Sequence, residues 1–463
     1  MAWYKNLLYN LPEVAPPTQR KLGFKEKFKW TMIILVLFFV LGLIPLFGLG
    51  QNGLQQFEIL SIILGASFGS IISLGIGPIV TASIVLQLLN GSGLIKFDLT
   101  THDGKRTFQG VQKLLSFFFI LFEGAIYVFM GGLAPPQSLL GTAAYFQLEL
   151  LMVFQLFLGG LLVMFMDEVV SKWGFGSGIS LFIAAGVSQS VFIRALSPLP
   201  SPNNPEIMTG AIPALFQSLA RGDPQTALLM LAGVASTILV FVISVYTKSM
   251  KVEIPLSFGR IRGHGIRWPL SFMYTSNIPV ILMSALIANV QLWAHLLQRW
   301  GYPILGTFVG NTPATGFVAW IYSPDIVGKI IRGSMTLADL GHALVYLLFL
   351  VAGSVVFAYF WVQTSGMDAR SQAKQIMRSG LQIPGFRKDE RVLERLLERY
   401  ITPLTIMGAL AVGFLAGIAD LSGALTNGTG LLLTVMIVYQ LYEDIAKQHV
   451  MEMNPMMRKF MGG

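Results

Sequence analysis

The chain offers few groups suited to covalent chemistry. Gly65-Ala66-Ser67-Phe68-Gly69 matches the G-x-S-x-G pattern of a serine nucleophile. That pattern works only as a sharp turn between a strand and a helix, and here it lies inside an apolar run of helical character. An intramembrane serine protease remains formally open; a fluorophosphonate probe that labels no serine would remove it. His102, His264, His295, His342 and His449 are scattered, without the HExxH or other metal-ligand spacing. With no cysteine, thiolate metal sites, disulfides and cysteine nucleophiles are excluded. There is also no P-loop to hold a nucleotide. The expectation is a non-enzyme with no cofactor and no metal. What remains are single polar groups set in apolar surroundings: Thr81, Glu123 and Asn277, with Glu149 and Arg194 nearer the ends of apolar runs. A carboxyl group amid hydrocarbon is costly, so such groups mark a pathway or a hydrogen bond that holds helices together.

The elements that must position these groups are membrane helices. Of 463 residues, 54% are hydrophobic and only 12% charged, and mean hydropathy is +0.66. A soluble domain carries about twice that charge. Met1 to Lys29 is polar and basic, with no cleavage site before the first apolar run, so the first span itself directs insertion. Clear spans run over 30–49, 114–133, 143–166, 179–196, 226–246, 270–294, 343–364 and 404–419, with weaker ones at 76–89 and 428–442. With both termini in the cytosol, ten spans put 27 of the 32 Lys and Arg on the cytosolic side. Only Arg194, Arg221, Arg299, Lys329 and Arg332 then lie outside. Dropping either weak span would move basic loops outward, against the positive-inside bias.

A Pro/Asn-rich linker, "SPLPSPNNPEIM" (197–208), separates five spans from five. Each half holds a Pro-interrupted helix, "IGPIV" (76–80) and "NIPVI" (277–281). Paired interruptions are the trace of an inverted repeat with a pathway between its halves. The Gly75-Ile76-Gly77-Pro78 break restarts a helix near mid-membrane, with proline suited to its first turn. Irregular backbone at that depth survives only beside protein or a water-filled cavity, so the break itself predicts a cavity.

Four stretches, "LGIGPIVTASIVLQLL" (74–89), "GFGSGISLFIAAG" (174–186), "YTSNIPVIL" (274–282) and "GTGLLLTVMIVYQ" (428–440), resemble the corresponding segments of the SecY family. These are the channel-forming α-subunits of the Sec protein translocon. "GRIRGHG" (259–265) and "GFRKDERVLERLLERYI" (385–401) resemble its two cytosolic docking loops. The resemblance covers nearly all ten spans in order and is closer to the archaeal and eukaryotic branch. It implies an all-α membrane protein of ten transmembrane helices in two pseudo-symmetric inverted halves, with a half-helix plug and an hourglass pore. The halves are residues 1–198, with the plug at 57–70, and 199–463, with basic loops at 248–269 and 365–403.

The function implied is that of the central subunit of a channel in the cell membrane. It moves secretory polypeptides across and releases transmembrane segments sideways into lipid. Its partners would be small single-span subunits of the SecE/gamma and beta types, the ribosome and its RNA, nascent chains with their signal sequences, and membrane lipid. By resemblance the pore ring is Ile76, Val80, Ile179, Ile183, Ile278, Ile281 and Leu433, with Leu431 and Leu432 alternatives to the last. The spacings agree, since Ile76/Val80 and Ile179/Ile183 are i,i+4 pairs and Ile278/Ile281 an i,i+3 pair. Thr81, Glu123 and Asn277 fall on helices implied to line a lateral gate. Phe57, Ile59, Leu60, Ile63, Leu64 and Phe68 would form the plug. Arg260, Arg262, Arg387 and Lys388, at or near loop tips, would dock on ribosomal phosphate. Leu393, Leu396, Leu397 and Tyr400 share one face of an amphipathic helix that must pack on something. The alternative is an ion-coupled secondary transporter, which also uses broken helices. That reading needs converging polar groups at mid-membrane, where the broken helices carry Ile, Val and Pro. A third, a scaffold without a pore, would need no plug.

Overall fold

Long apolar helices dominate the computed structural model, which describes residues 8, 10–19, 22–52, 66–91, 94–95, 97, 101–200, 207–258, 265–275, 277–309, 312–378, 381–382 and 390–453. The helices used below are α1 (Phe24–Leu43), α2 (Gly77–Gly91), α3 (His102–Phe129), α4 (Ala143–Trp173), α5 (Gly178–Leu196), α6 (Ala211–Arg221), α7 (Pro224–Ser249), α8 (Ile278–Arg299), α9 (Leu337–Ser365), α10 (Ala369–Arg378), α11 (Glu390–Leu421) and α12 (Gly428–Met453). All except α6 and α10 coincide with the ten expected spans. Seven of them, α3, α4, α5, α7, α8, α9 and α11, are long and apolar enough to cross a bilayer on their own. The other three are compromised. α1 opens on Lys25, Glu26, Lys27 and Lys29, and α12 ends among Glu443, Asp444 and Lys447. α2 has 15 residues, about 22 Å of rise against about 30 Å of hydrocarbon.

Local chemistry sets the helix starts. Thr101 accepts from Gly104 N at the head of α3, Thr142 from Tyr145 N at α4, and Asp223 from Gln225 N and Thr226 N at α7. Thr336 and Asp339 form a capping box on α9. Each satisfies donors that a helix cannot bond internally.

Within the first five spans, α3 packs on α2 and α4, and α4 also on α1 and α5. In the second five, α9 packs on α8 and α11, and α12 on α7 and α11. The two groups of helices meet along two lines: α2 against α8 and α9, and α5 against α12. The largest apolar core lies between those lines, with residues from both groups.

Several expectations change. The span expected from Leu270 begins only at Ile278, because 251–271 is a β-hairpin. Strands β3 (Lys251–Phe258) and β4 (Gly265–Ser271) pair from Lys251↔Ser271 to Ser257↔Gly265. They follow β1 (Gln51–Asn52) and β2 (Leu133–Ala134), which pair with each other. The alternation Val252, Ile254, Leu256 is the period-2 signal of a half-buried strand. A second change is α6, between Gly210 and Gly222, the latter left-handed at φ +75; it packs back on α7.

The amphipathic segment near 387–400 and the span from Leu404 are one continuous helix, α11, with Pro403 inside it. Leu393 and Leu397 are buried against Ile254, Leu270 and Tyr274 of the hairpin side, with Leu396 packed alongside. Tyr400 is exposed, and Ile401 completes the buried stripe instead. Finally, residues 66–70, the described end of the expected half-helix plug, form turns rather than helix. Phe57, Ile59, Leu60, Ile63 and Leu64 lie outside the described residues, as do Arg260, Arg262, Arg387 and Lys388.

Candidate functional site

The helix break predicted at Gly75 is present. Residues 71–76 turn, with Gly75 at φ +54 and hydrogen bonds from Gly75 N to Ile72 O (3.0 Å) and from Gly77 N to Leu74 O (3.2 Å). Regular helix resumes with Val80 N to Ile76 O at 3.0 Å. A non-helical chain in apolar surroundings must satisfy its own backbone. Serines do part of this: Ser73 Oγ accepts from Gly69 N (2.9 Å) and donates to Ser70 O (2.5 Å). The chain after α1 does the rest, with Leu46 N donating to Gly69 O (2.9 Å) and Ile71 N to Ile44 O (3.0 Å). Helix α4 presses on the same turn through Gly159, where a Cβ would lie 1.9 Å from Ile71 O. Phe68 is half-buried, its ring edge-on to Tyr127 at 6.4 Å.

The seven aliphatics assigned to the ring come together in one apolar cluster. Ile76, Val80, Ile183, Ile281 and Leu433 are buried members, and Ile179 and Ile278 pack against them. They reach it from α5, α8, α12 and the junction into α2, that is, from both groups of helices. Leu431 and Leu432 are buried in the same cluster, so burial does not choose among the three leucines. No hydrogen-bonding side chain is among these ring residues. Away from the hairpin, the cluster gives way to a cavity of about 1050 Å³ between α5, α8, α9 and the α11–α12 turn, lined by groups such as Arg194, Gln291, His342 and Asn427. In its wall Asp420 accepts from Tyr346 Oη (2.6 Å) and Thr429 N (2.6 Å), and also from the Thr429 hydroxyl.

Beside this apolar cluster, at the line where α2 meets α8, lies a buried polar network. Thr81 Oγ1 is 2.9 Å from Gly77 O and 3.0 Å from Glu123 Oε1, between which its one proton is shared. It accepts from Asn289 Nδ2 at 2.9 Å. Thr81, Glu123 and Asn289 are each at most 7% exposed. Three helices, α2, α3 and α8, are thus joined by side chains alone. Glu123 Oε2 and Asn289 Oδ1 have no protein partner, so the network is not fully satisfied and costs less to open than its bond count implies. At the far end of α8, Arg299 Nη1 donates to Gly131 O just beyond α3, at 2.5 Å.

Of the three polar residues singled out in the sequence, Thr81 and Glu123 meet. Asn277 does not join them: it immediately precedes α8, and Asn289 lies twelve residues on, about 18 Å of helix rise away. Asn289 was missed although it obeys the rule that selected Glu123, an amide in the middle of an apolar run. The proline beside Asn277 drew attention to the wrong asparagine.

A bundle of apolar helices in two groups of five, with an aliphatic core between the groups, a broken helix entering that core and a buried polar network to one side, defines a polytopic membrane protein. The family model for SecY matches residues 70–442, and the chain belongs to the SecY family of protein translocase subunits. The protein translocase subunit SecY of Methanothermobacter thermautotrophicus is 45% identical over 463 residues, 99% of this chain and 98% of that protein. A solved structure of a protein-conducting channel superposes with TM-score 0.82 at 42% identity, covering 96% of this chain and 97% of the other. Sec61 in the canine ribosome–channel complex of the endoplasmic reticulum superposes at 0.79 with 41% identity, covering 96% and 97%.

Proposed function

We propose that this chain is the central subunit of a protein-conducting channel that passes unfolded polypeptides between its two halves and releases apolar segments into lipid along the α2–α8 line. The observation that supports the reading is the shared apolar cluster. The seven aliphatic side chains assigned to the ring, from both groups of helices, belong to it or pack against it, next to a line of contact whose polar bonds are few. Aliphatic walls yield to any side chain and hold none by hydrogen bonds, while a narrow dry ring stops ions. A transporter would place polar ligands there, and the family and the ring residues both speak against that alternative.

The halves are residues 1–198 and 199–463, with both termini on the cytosolic side of the cell membrane. Residues 57–70 act as the plug on the outer side of the ring. Arg260, Arg262, Arg387 and Lys388 dock on ribosomal phosphate. The small sheet supports this pairing of loops: Ser257 of β3 faces both Gly265 of β4 and Gln382 of a short strand, Leu381–Gln382. The loops that carry the four basic residues therefore leave one anchored sheet. The Sec61 relative in a ribosome–channel complex supports a ribosomal partner. Small single-span subunits complete the assembly.

Replacing Ile179 and Ile183 together with Ser tests the ring. The double variant wets the constriction, and resting ion conductance in planar bilayers rises. Parental conductance at normal protein level would remove these residues from the seal.

A further inference from the structure

The tail before α1 is tied to the bundle by a chain of charges that the channel reading does not use. Glu168, on α4, accepts two hydrogen bonds and pairs with one further cation. Lys113 Nζ of α3 pairs with Oε1; on Oε2 sit the Val14 backbone N–H at 2.8 Å and Lys172 Nζ at 3.8 Å. Lys172 also reaches the Glu13 carboxylate at 2.5 Å and the Val14 carbonyl at 2.6 Å. Trp173 Nε1 donates to Ala15 O at 2.9 Å. Further along α3, Gly110 lets the tail approach: a Cβ there would lie 3.0 Å from Leu8 Cβ. The Lys113 and Glu168 side chains are only 14% and 18% exposed, and Lys113 also lies over the Phe165 ring at 5.8 Å. This is more than a solvated surface pair, for which two long side chains give up freedom with little return.

We infer that Glu168 is a positioning residue for lateral release: by holding Lys113 and the 13–15 strap, it fixes the tail-side end of α3 to α4. The inference rests on the α2–α8 seam reading. Helix α3 carries Glu123, and Glu123 holds Thr81 of α2. Anchoring α3 at Lys113 therefore anchors the whole α2–α3 wall of the seam. Opening then falls to the other wall, in which α8 carries Asn289. With the anchor gone, both walls move, the seam parts more readily, and a less apolar segment suffices to enter lipid.

The test is a graded series of model segments presented to the whole translocase, scored as released to lipid or carried across. Glu168→Gln keeps an acceptor for Val14 N–H and removes the charge. It is expected to shift the released-to-carried ratio of a threshold segment by about three- to fivefold toward release, the upper part of the range for ion pairs, as suits a pair this little exposed. Lys113→Met, which breaks the pair from the other side and stands in if Glu168→Gln does not accumulate, shifts the curve equally. The double variant goes no further, as one shared interaction requires. Curves that superimpose on the parent at equal abundance overturn the inference, even if thermal stability falls, because that is what packing alone would do. So does full additivity of the two single changes. Asn289→Leu in the same assay separates the failures. If it shifts the curve and Glu168→Gln does not, only this inference falls; if Asn289→Leu is also silent, the seam reading falls with it.

Discussion

Replacing Asn289 with Leu removes the bond from Nδ2 to Thr81 at 2.9 Å and leaves Thr81 with Gly77 O and Glu123. Two terms act on the closed seam. The lost interhelical hydrogen bond weakens it by about 0.6 to 2 kcal/mol. The Oδ1 atom, buried without a protein partner, disappears as well, which relieves the closed state and offsets part of that loss. In the open state the balance is one-sided. An asparagine turned toward hydrocarbon is costly, whereas a leucine there costs nothing, since lipid is as apolar as leucine. The sum favours opening by about 1 kcal/mol, near the middle of the hydrogen-bond range, or about fivefold in the release ratio. Each leucine added to a test segment contributes about 0.5 kcal/mol to insertion. The midpoint of a graded segment series is therefore expected to move by about two leucines toward less apolar segments. Asn277→Leu, about 18 Å of helix rise away, leaves the midpoint in place. Superimposable curves for the Asn289 variant and the parent, at equal protein level, would refute the reasoning; so would a shift produced by Asn277→Leu alone.

Gly159→Ala should be strongly destabilising, by about 2 kcal/mol or more, because its Cβ would stand 1.9 Å from Ile71 O at the helix break; thermal unfolding of the purified protein measures this. The Glu13 carboxyl is held below the ordinary carboxylate range, first by its hydrogen bond with Lys172. Its contribution to tail docking is fully present above the ordinary glutamate pKa and fades as pH falls through the lowered value. Protease cutting in residues 10–19 should therefore stay slow through mild acidification and rise only below the ordinary carboxylate range, and Glu13→Gln should remove that onset.

How much was legible in advance follows from which signals are local. The span order and the break at Gly75 depend on hydropathy and on Gly and Pro, all visible in the chain, whereas the ring positions came from the family resemblance, with which the residue spacing agrees. The hairpin at 251–271 was misread because Leu270 and its neighbours are apolar for another reason: they cover Leu393 and Leu397 rather than facing lipid. Tyr400 and Ile401 are adjacent, and a stripe drawn at i, i+3, i+4, i+7 from Leu393 includes the first, while the helix as folded buries the second. The seam was half read. Glu123 announces itself as an ionisable group in hydrocarbon, but its place beside Thr81 and Asn289 is made by three helices whose crossing no single stretch encodes. The tail strap was invisible altogether, since Glu13, Lys113, Glu168 and Lys172 read as ordinary charges flanking spans.

The continuity of α11 has a mechanical consequence. Its 32 residues form a strut about 48 Å long, from the hairpin-side layer to the turn beside Asp420. A push or twist applied where it starts, near Glu390, is delivered along its axis. Pro403 interrupts the strut at one place, because proline cannot donate to Arg399 O and its ring crowds that carbonyl. Thr405, which donates to Ile401 O at 2.8 Å, sits beside the fault. The strut is therefore stiff in compression and compliant in bending near residue 403. A load applied at the start of the strut can tilt the segment before Pro403 without levering the membrane portion sideways, while axial thrust still passes through.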